Sequence, residues 1–144
     1  MRLLVASAAA CLVLNGCIAV AVSQFNDHQG KSFAPPPDAA MVYLYGVSPC
    51  DNTGVAARMR HSQTTLAIYP GTYRYFSVRP GVHNISVAGQ DKISIDALPG
   101  QCYFIEAEVA CDGGIPRFRQ RVVDQEQGRS KVRASVLGLG VPSQ

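Results

Sequence analysis

Five cysteines and three histidines are where covalent or metal chemistry could begin in this chain. A nucleophilic thiol needs a base beside it. His61 is the nearest histidine in sequence to Cys50, so a thiol enzyme here would use Cys50 or Cys102 with His61. A zinc site needs four ligands at short paired spacings. No C-x-x-C or H-x-x-x-H pattern occurs, which argues for no metal and no cofactor. Paired carboxylates for acid–base work, a phosphate loop and a Ser-His-Asp grouping are also missing, so the chain reads as a non-enzyme.

A different chemistry is written into the first residues. Arg2 precedes an apolar run from Leu3 to Leu14, then come Asn15, Gly16 and Cys17. A short positive start, an apolar stretch and small residues at a cut point define a secretory signal, here residues 1–16. Leu14-Asn15-Gly16-Cys17 resembles the bacterial lipobox. The resemblance implies a diacylglyceryl thioether on Cys17, cleavage before it and acylation of the new amino terminus with palmitate-type chains. Each buried CH₂ contributes about 0.8 kcal/mol, and two or three chains make stable anchoring in membrane lipid. Ile18 stands where an Asp commonly retains such proteins in the inner membrane, so the resemblance implies the outer membrane, facing the periplasm. The rival reading is an uncut anchor, since Leu3 to Val22 is long enough to span a bilayer.

Export changes what the remaining thiols are for. Cys11 leaves with the leader, and an oxidising compartment favours disulfides. Cys102 and Cys111 lie nine residues apart, at opposite ends of one expected strand, and a rise of about 3.3 Å per residue puts them beyond disulfide reach. Cys50 must be one partner. Cys50–Cys111 is the expected bridge, because both follow a strand and sit beside turn residues, with Cys102 left as a free thiol.

The elements that position these residues read as β. The chain has 144 residues, 47% hydrophobic and 16% charged, so it is no disordered polymer. A net charge of +3 gives no general reason to expect nucleic acid as a partner. Residues 17–38 read as a lipidated tether ending in Pro35-Pro36-Pro37, a stiff extended spacer. Residues 39–130 read as the domain and 131–144 as a tail. Strands are expected at Met41–Tyr45, Thr64–Tyr69, Thr72–Val78, Val82–Ala88, Lys92–Ala97, Cys102–Ala110 and Arg117–Val123. Pro70-Gly71, Pro80-Gly81 and Pro99-Gly100 punctuate them as turns, some of which should be corners between sheets, since type II turns match hairpin twist poorly. The sum is a single small antiparallel β-sandwich, Ig-like or prealbumin-like, with a short C-terminal helix near Asp124 or a frayed tail.

Asp112-Gly113 sits where a two-residue hairpin loop wants it. Closing there sets Glu108 opposite Arg117 and Glu106 opposite Arg119 on the outer side, with Ala107 opposite Phe118 and Tyr103 opposite Val122 inside. Pro116 cannot donate in a ladder, which makes the last strand an edge or places a bulge in it. Arg117–Val123 is therefore a candidate edge for an envelope protein partner by β-augmentation. Arg117, Arg119 and Arg121 could instead be an anion-binding stripe, although two of them have carboxylates opposite in this register. Tyr43, Tyr45, Tyr73 and Tyr75 read as core more than as an aromatic platform, and His83 reads as a packed histidine.

The chain resembles the bacterial envelope family known as domain of unknown function 2846, on Ala40-Met41-Val42-Tyr43, Gly71-Thr72-Tyr73-Arg74-Tyr75-Phe76, Pro80-Gly81-Val82-His83, Pro99-Gly100-Gln101-Cys102-Tyr103 and Val123-Asp124-Gln125-Glu126-Gln127-Gly128-Arg129. The order and spacing of these pieces carry the resemblance. Cys50, Cys102, Cys111 and the stretch from Pro49 to Ser62, with its Arg58-Met59-Arg60, depart from it. It implies a small β-rich lipoprotein domain and brings no catalytic residues. The expected function is a lipid-anchored, non-enzymatic binding or accessory module. The thiol enzyme and a surface or secretion-accessory lipoprotein are the alternatives.

Overall fold

The computed structural model describes residues 26–50, 56–61, 64–87 and 92–138. The expected signal, the lipobox with Cys17, and the end of the tail lie outside the described residues. The chain divides into two compact units, one ending at Ser32 and one beginning at Phe33. In the first, residues 26–30 are helical and Lys31 pairs with Asp27 at 3.2 Å. Among the described residues no helix is long and apolar enough to cross a membrane.

The second unit is an all-β sandwich with a short C-terminal helix. Its strands are β1 (Ala40–Val47), β2 (Ala57–His61), β3 (Thr64–Ile68), β4 (Thr72–Val78), β5 (Gly81–Val87), β6 (Ile93–Ala97), β7 (Cys102–Asp112), β8 (Ile115–Val123) and β9 (Val136–Leu137). Helix α1 (Gln125–Ala134) lies between β8 and β9. One sheet has the order β8-β7-β1-β4-β9 and the other β3-β2-β5-β6. Each of the three Pro-Gly pairs marks a crossing between them: β3 to β4, β4 to β5, and β6 to β7.

The sandwich is not wholly antiparallel, which corrects the expectation from the sequence. β7 runs parallel to β1, and β9 parallel to β4. The reason lies at the Pro99-Gly100 corner. There the Gly100 N–H donates to the Ala39 carbonyl (2.9 Å) and the Met41 N–H to the Gln101 carbonyl (2.9 Å). The chain thus re-enters the first sheet beside the start of β1, and the two strands set off in one direction.

Both faces of the five-stranded sheet are covered. Val42, Leu44, Ile105 and Ala107 pack between the sheets with Met59, Ile85 and Ile95. Tyr43, Tyr45, Tyr73 and Phe104 form a second core on the opposite face with Val132 of α1 and Phe33. Burial on both faces explains why β1 and the first half of β7 read as continuous apolar runs. Three of the four tyrosines are fully buried, so they are core.

Two expected boundaries move. Phe33 is buried, with its ring 5.3 Å from Tyr43 and 5.9 Å from Phe104, so folded structure begins within the segment read as spacer. At the other end α1 continues past 130 and β9 adds a strand beside β4, so residues 131–138 belong to the fold. Asp124 caps α1, its carboxylate accepting from the Gln127 N–H at 2.8 Å. The stretch around Arg58-Met59-Arg60 supplies β2, where no strand is expected from the sequence; Ala57 and Met59 point inward while Arg58 and Arg60 are exposed.

The register of the last hairpin also differs. It closes on Gly113-Gly114, both at positive φ (57° and 83°), which a two-residue hairpin turn of type I′ requires. Asp112 then pairs with Ile115 and Cys111 with Pro116. In such a hairpin the pair flanking the loop is hydrogen-bonded and the next is not, alternating from there. Pro116 therefore falls where no N–H is needed. Closing on Asp112-Gly113 would have put Pro116 at a bonded position, where its missing donor costs a ladder bond. The correction is two residues. Glu106 faces Arg121 rather than Arg119, and Glu108 faces Arg119 rather than Arg117.

Candidate functional site

β8 is the terminal strand of its sheet, and most of it is exposed. Ile115 and Val122 are left as exposed apolar side chains along it. Arg117 pairs diagonally with Asp112 at 3.1 Å, both ends well exposed. Arg121 is different: its Nε donates to Oε1 of Glu106 at 2.8 Å, and Glu106 is only 4% exposed. The other carboxylate oxygen accepts from the Tyr45 hydroxyl at 3.0 Å. Burial first, and then the Glu106 carboxylate, push the Tyr45 phenol well above its ordinary range, so it stays a donor. A buried carboxylate with both oxygens occupied locks the register of β8 to β7 and carries a fixed ion pair to the open edge.

The thiols are placed as their spacing implied. Cys50 and Cys111 form a disulfide with Cα atoms 6.3 Å apart. Parallel pairing of β1 with β7, down to Val47 opposite Glu108, carries both cysteines to one end of the sheet. Cys102 is free and buried in the helix-side core, its Sγ 3.6 Å from the Phe33 carbonyl. Burial raises its thiol pKa. His61 stacks on Phe76, which is partly buried and packs against the core between the sheets, with ring centroids 5.1 Å apart. Cys102 and His61 are thus on opposite faces of the five-stranded sheet, and the fold does not bring thiol and imidazole together.

His61 has another partner. Its Nε2 lies 3.1 Å from Nδ1 of His83, and His83 Nε2 lies 2.7 Å from the Arg79 carbonyl oxygen. A carbonyl can only accept, so His83 carries its hydrogen on Nε2 and its Nδ1 accepts from His61. Burial, and secondly the neighbouring His83, lower the His61 pKa. Arg60, His61, Val82, His83, Asn84, Ser86 and Lys92 line a cavity of ≈ 480 Å³ here. Two ring nitrogens this close could share a metal ion, but Arg60 and Lys92 on the rim oppose a cation. Among the described residues no group of three or more His, Cys, Asp or Glu side chains is placed to hold one. The sequence offers no local signal for this pair, because β2 meets β5 only through non-local pairing.

The chain matches no family model, and no curated protein matches it.

Proposed function

We propose that the chain is a lipid-anchored bacterial envelope protein that performs no chemistry and binds a protein partner along β8. The observation that carries this reading is the open outer side of β8, a nine-residue strand with no second strand beyond it among the described residues. An exposed edge is a template for strand addition, and Pro116 and the arginines of β8 guard it against indiscriminate pairing without covering it. The Glu106–Arg121 pair holds the strand in one register, so its outward groups are preset for a partner. Acylation of Cys17 would keep the domain at a membrane, with the lipobox as support and the outer membrane as the site that Ile18 favours.

Two measurements test the reading. Mass spectrometry of the mature chain separates a diacylglyceryl Cys17 from an uncut leader. A photo-crosslinker at position 119 should capture a partner from the envelope, and Val122→Pro should abolish the capture. The Val122 N–H points away from β7 in the hairpin alternation, so proline removes an outward donor and no internal ladder bond. Undiminished capture by the folded Val122→Pro protein would sink the proposal.

A further inference from the structure

We infer that the cavity beside the His61–His83 pair binds a phosphate-ester group, more tightly when the pair holds an extra proton. This site lies on the four-stranded sheet and does not depend on the reading of β8. Three neighbouring strands present donors on the outer face of the sheet, and His61 and His83 reach the same cavity from the inner face, where β2 ends. Arg60 on β2 is in register with Ser86 on β5, Asn84 stands two residues before Ser86, and Lys92 directly precedes β6. Neighbouring strands lie about 4.8 Å apart, so one anion with several outward oxygens can accept from all three. A phosphate group's oxygens point out of one plane, toward different strands, whereas a carboxylate's two lie in one plane.

The charge is one-sided. Among the described residues, the titratable and charged groups that line this cavity and the one adjoining it at His61 are His83 and Lys92 from the β5–β6 side, Arg60 on its own strand, and Arg74 from β4. Among the described lining residues none is a carboxylate; Asp96, in register with Val82, does not line the cavity, and neither Arg60 nor Lys92 makes an ion pair. A patch of unpaired cations lining a concave surface concentrates anions. The cavity, at ≈ 480 Å³, is within the range that holds a small organic ligand, so there is room for the ester group beyond the phosphate.

The pair is built to take up one proton without breaking. In the neutral pair His61 donates from Nε2 to His83, and its Nδ1 is the remaining basic nitrogen. A proton arriving there makes His61 an imidazolium that still donates to His83, and an anion held by the outer-face donors of the same cavity attracts this charge through space, which offsets part of the desolvation that disfavours it. Anion and proton then bind cooperatively.

The test uses the full-length chain in neutral detergent micelles, read by the imidazole resonances of His61 and His83. One arm titrates soluble glycerophosphoglycerol, whose single charge does not change between about pH 5.5 and about pH 8. The other dopes the micelles with phosphatidylglycerol. A saturable shift with the soluble ester assigns a free phosphate ester, and a shift only with the lipid assigns a headgroup in a bilayer. Either supports the site if affinity falls at least tenfold in Arg60→Gln/Lys92→Gln, stays within about twofold in Arg58→Gln, and is tighter at the lower pH. Arg58 is exposed on the same strand and face but does not line the cavity, so it controls for charge alone. No shift with either probe, an equal loss in Arg58→Gln, or an affinity indifferent to pH would overturn the inference.

Discussion

Tyr45 donates its hydroxyl to Oε2 of Glu106 at 3.0 Å, across the β1–β7 pairing that sets these two residues side by side. Tyr45 is fully buried and Glu106 nearly so. Hydrogen bonds to a charged group contribute about 1.5–3 kcal/mol, and an unsatisfied buried oxygen adds its own penalty. Tyr45→Phe keeps the ring and removes only the donor. It should lower stability by about 2 kcal/mol in urea unfolding, with the m-value unchanged.

The disulfide links residues 61 apart. In the chain-entropy account, a loop of that size is worth about 4 kcal/mol of stability through restriction of the unfolded chain. Cys50→Ser/Cys111→Ser should therefore unfold at markedly lower urea than the oxidised protein. Reductant should shift the parent by a similar amount and leave the double variant unmoved.

Burial sets the pH response of His61. Its folded pKa lies below the ordinary value of 6.5 because the ring is partly desolvated and His83 is beside it. Above 6.5 the ring is neutral in both the folded and unfolded chain, and no penalty arises. As pH falls through 6.5 the unfolded chain takes the proton first, so stability drops until the folded ring titrates as well. The urea midpoint should be lower near pH 5 than near pH 7.5, and His61→Gln should flatten that difference. A saturating phosphate ester should flatten it also, if the cavity binds one.

Much of this fold is legible in the residues, and what is not has a common physical cause. Continuous apolar runs gave β1 and β7, Pro-Gly pairs gave the corners, and Asp124 gave the helix start. These are local signals. β2 was missed because Arg58 and Arg60 mask a period-2 pattern whose inward apolar members are only Ala57 and Met59. The hairpin register failed on a choice between two adjacent loops, where Pro116 spoke for Gly113-Gly114 through the parity of the ladder. Cys50–Cys111 was within reach because elimination left few choices, whereas the His61–His83 contact spans 22 residues and needs the strand pairing to be known.

Gly128 separates two opposed effects in one substitution. It sits within α1, where glycine is about 1 kcal/mol worse than alanine, so Gly→Ala in an open helix would stabilise. Here a Cβ would overlap the Phe104 side chain, which is fully buried beneath the helix. Phe104 also stacks on Tyr43 with centroids 5.0 Å apart and touches Phe33, so it has little room to retreat. Overpacking of this kind costs about 1–3 kcal/mol, which exceeds the propensity gain. Gly128→Ala should thus lower the thermal midpoint, while Ser130→Ala, exposed on the same helix, should raise it slightly. A midpoint that rose in both variants would mean that α1 does not press on Phe104, and that the second core is looser than its geometry.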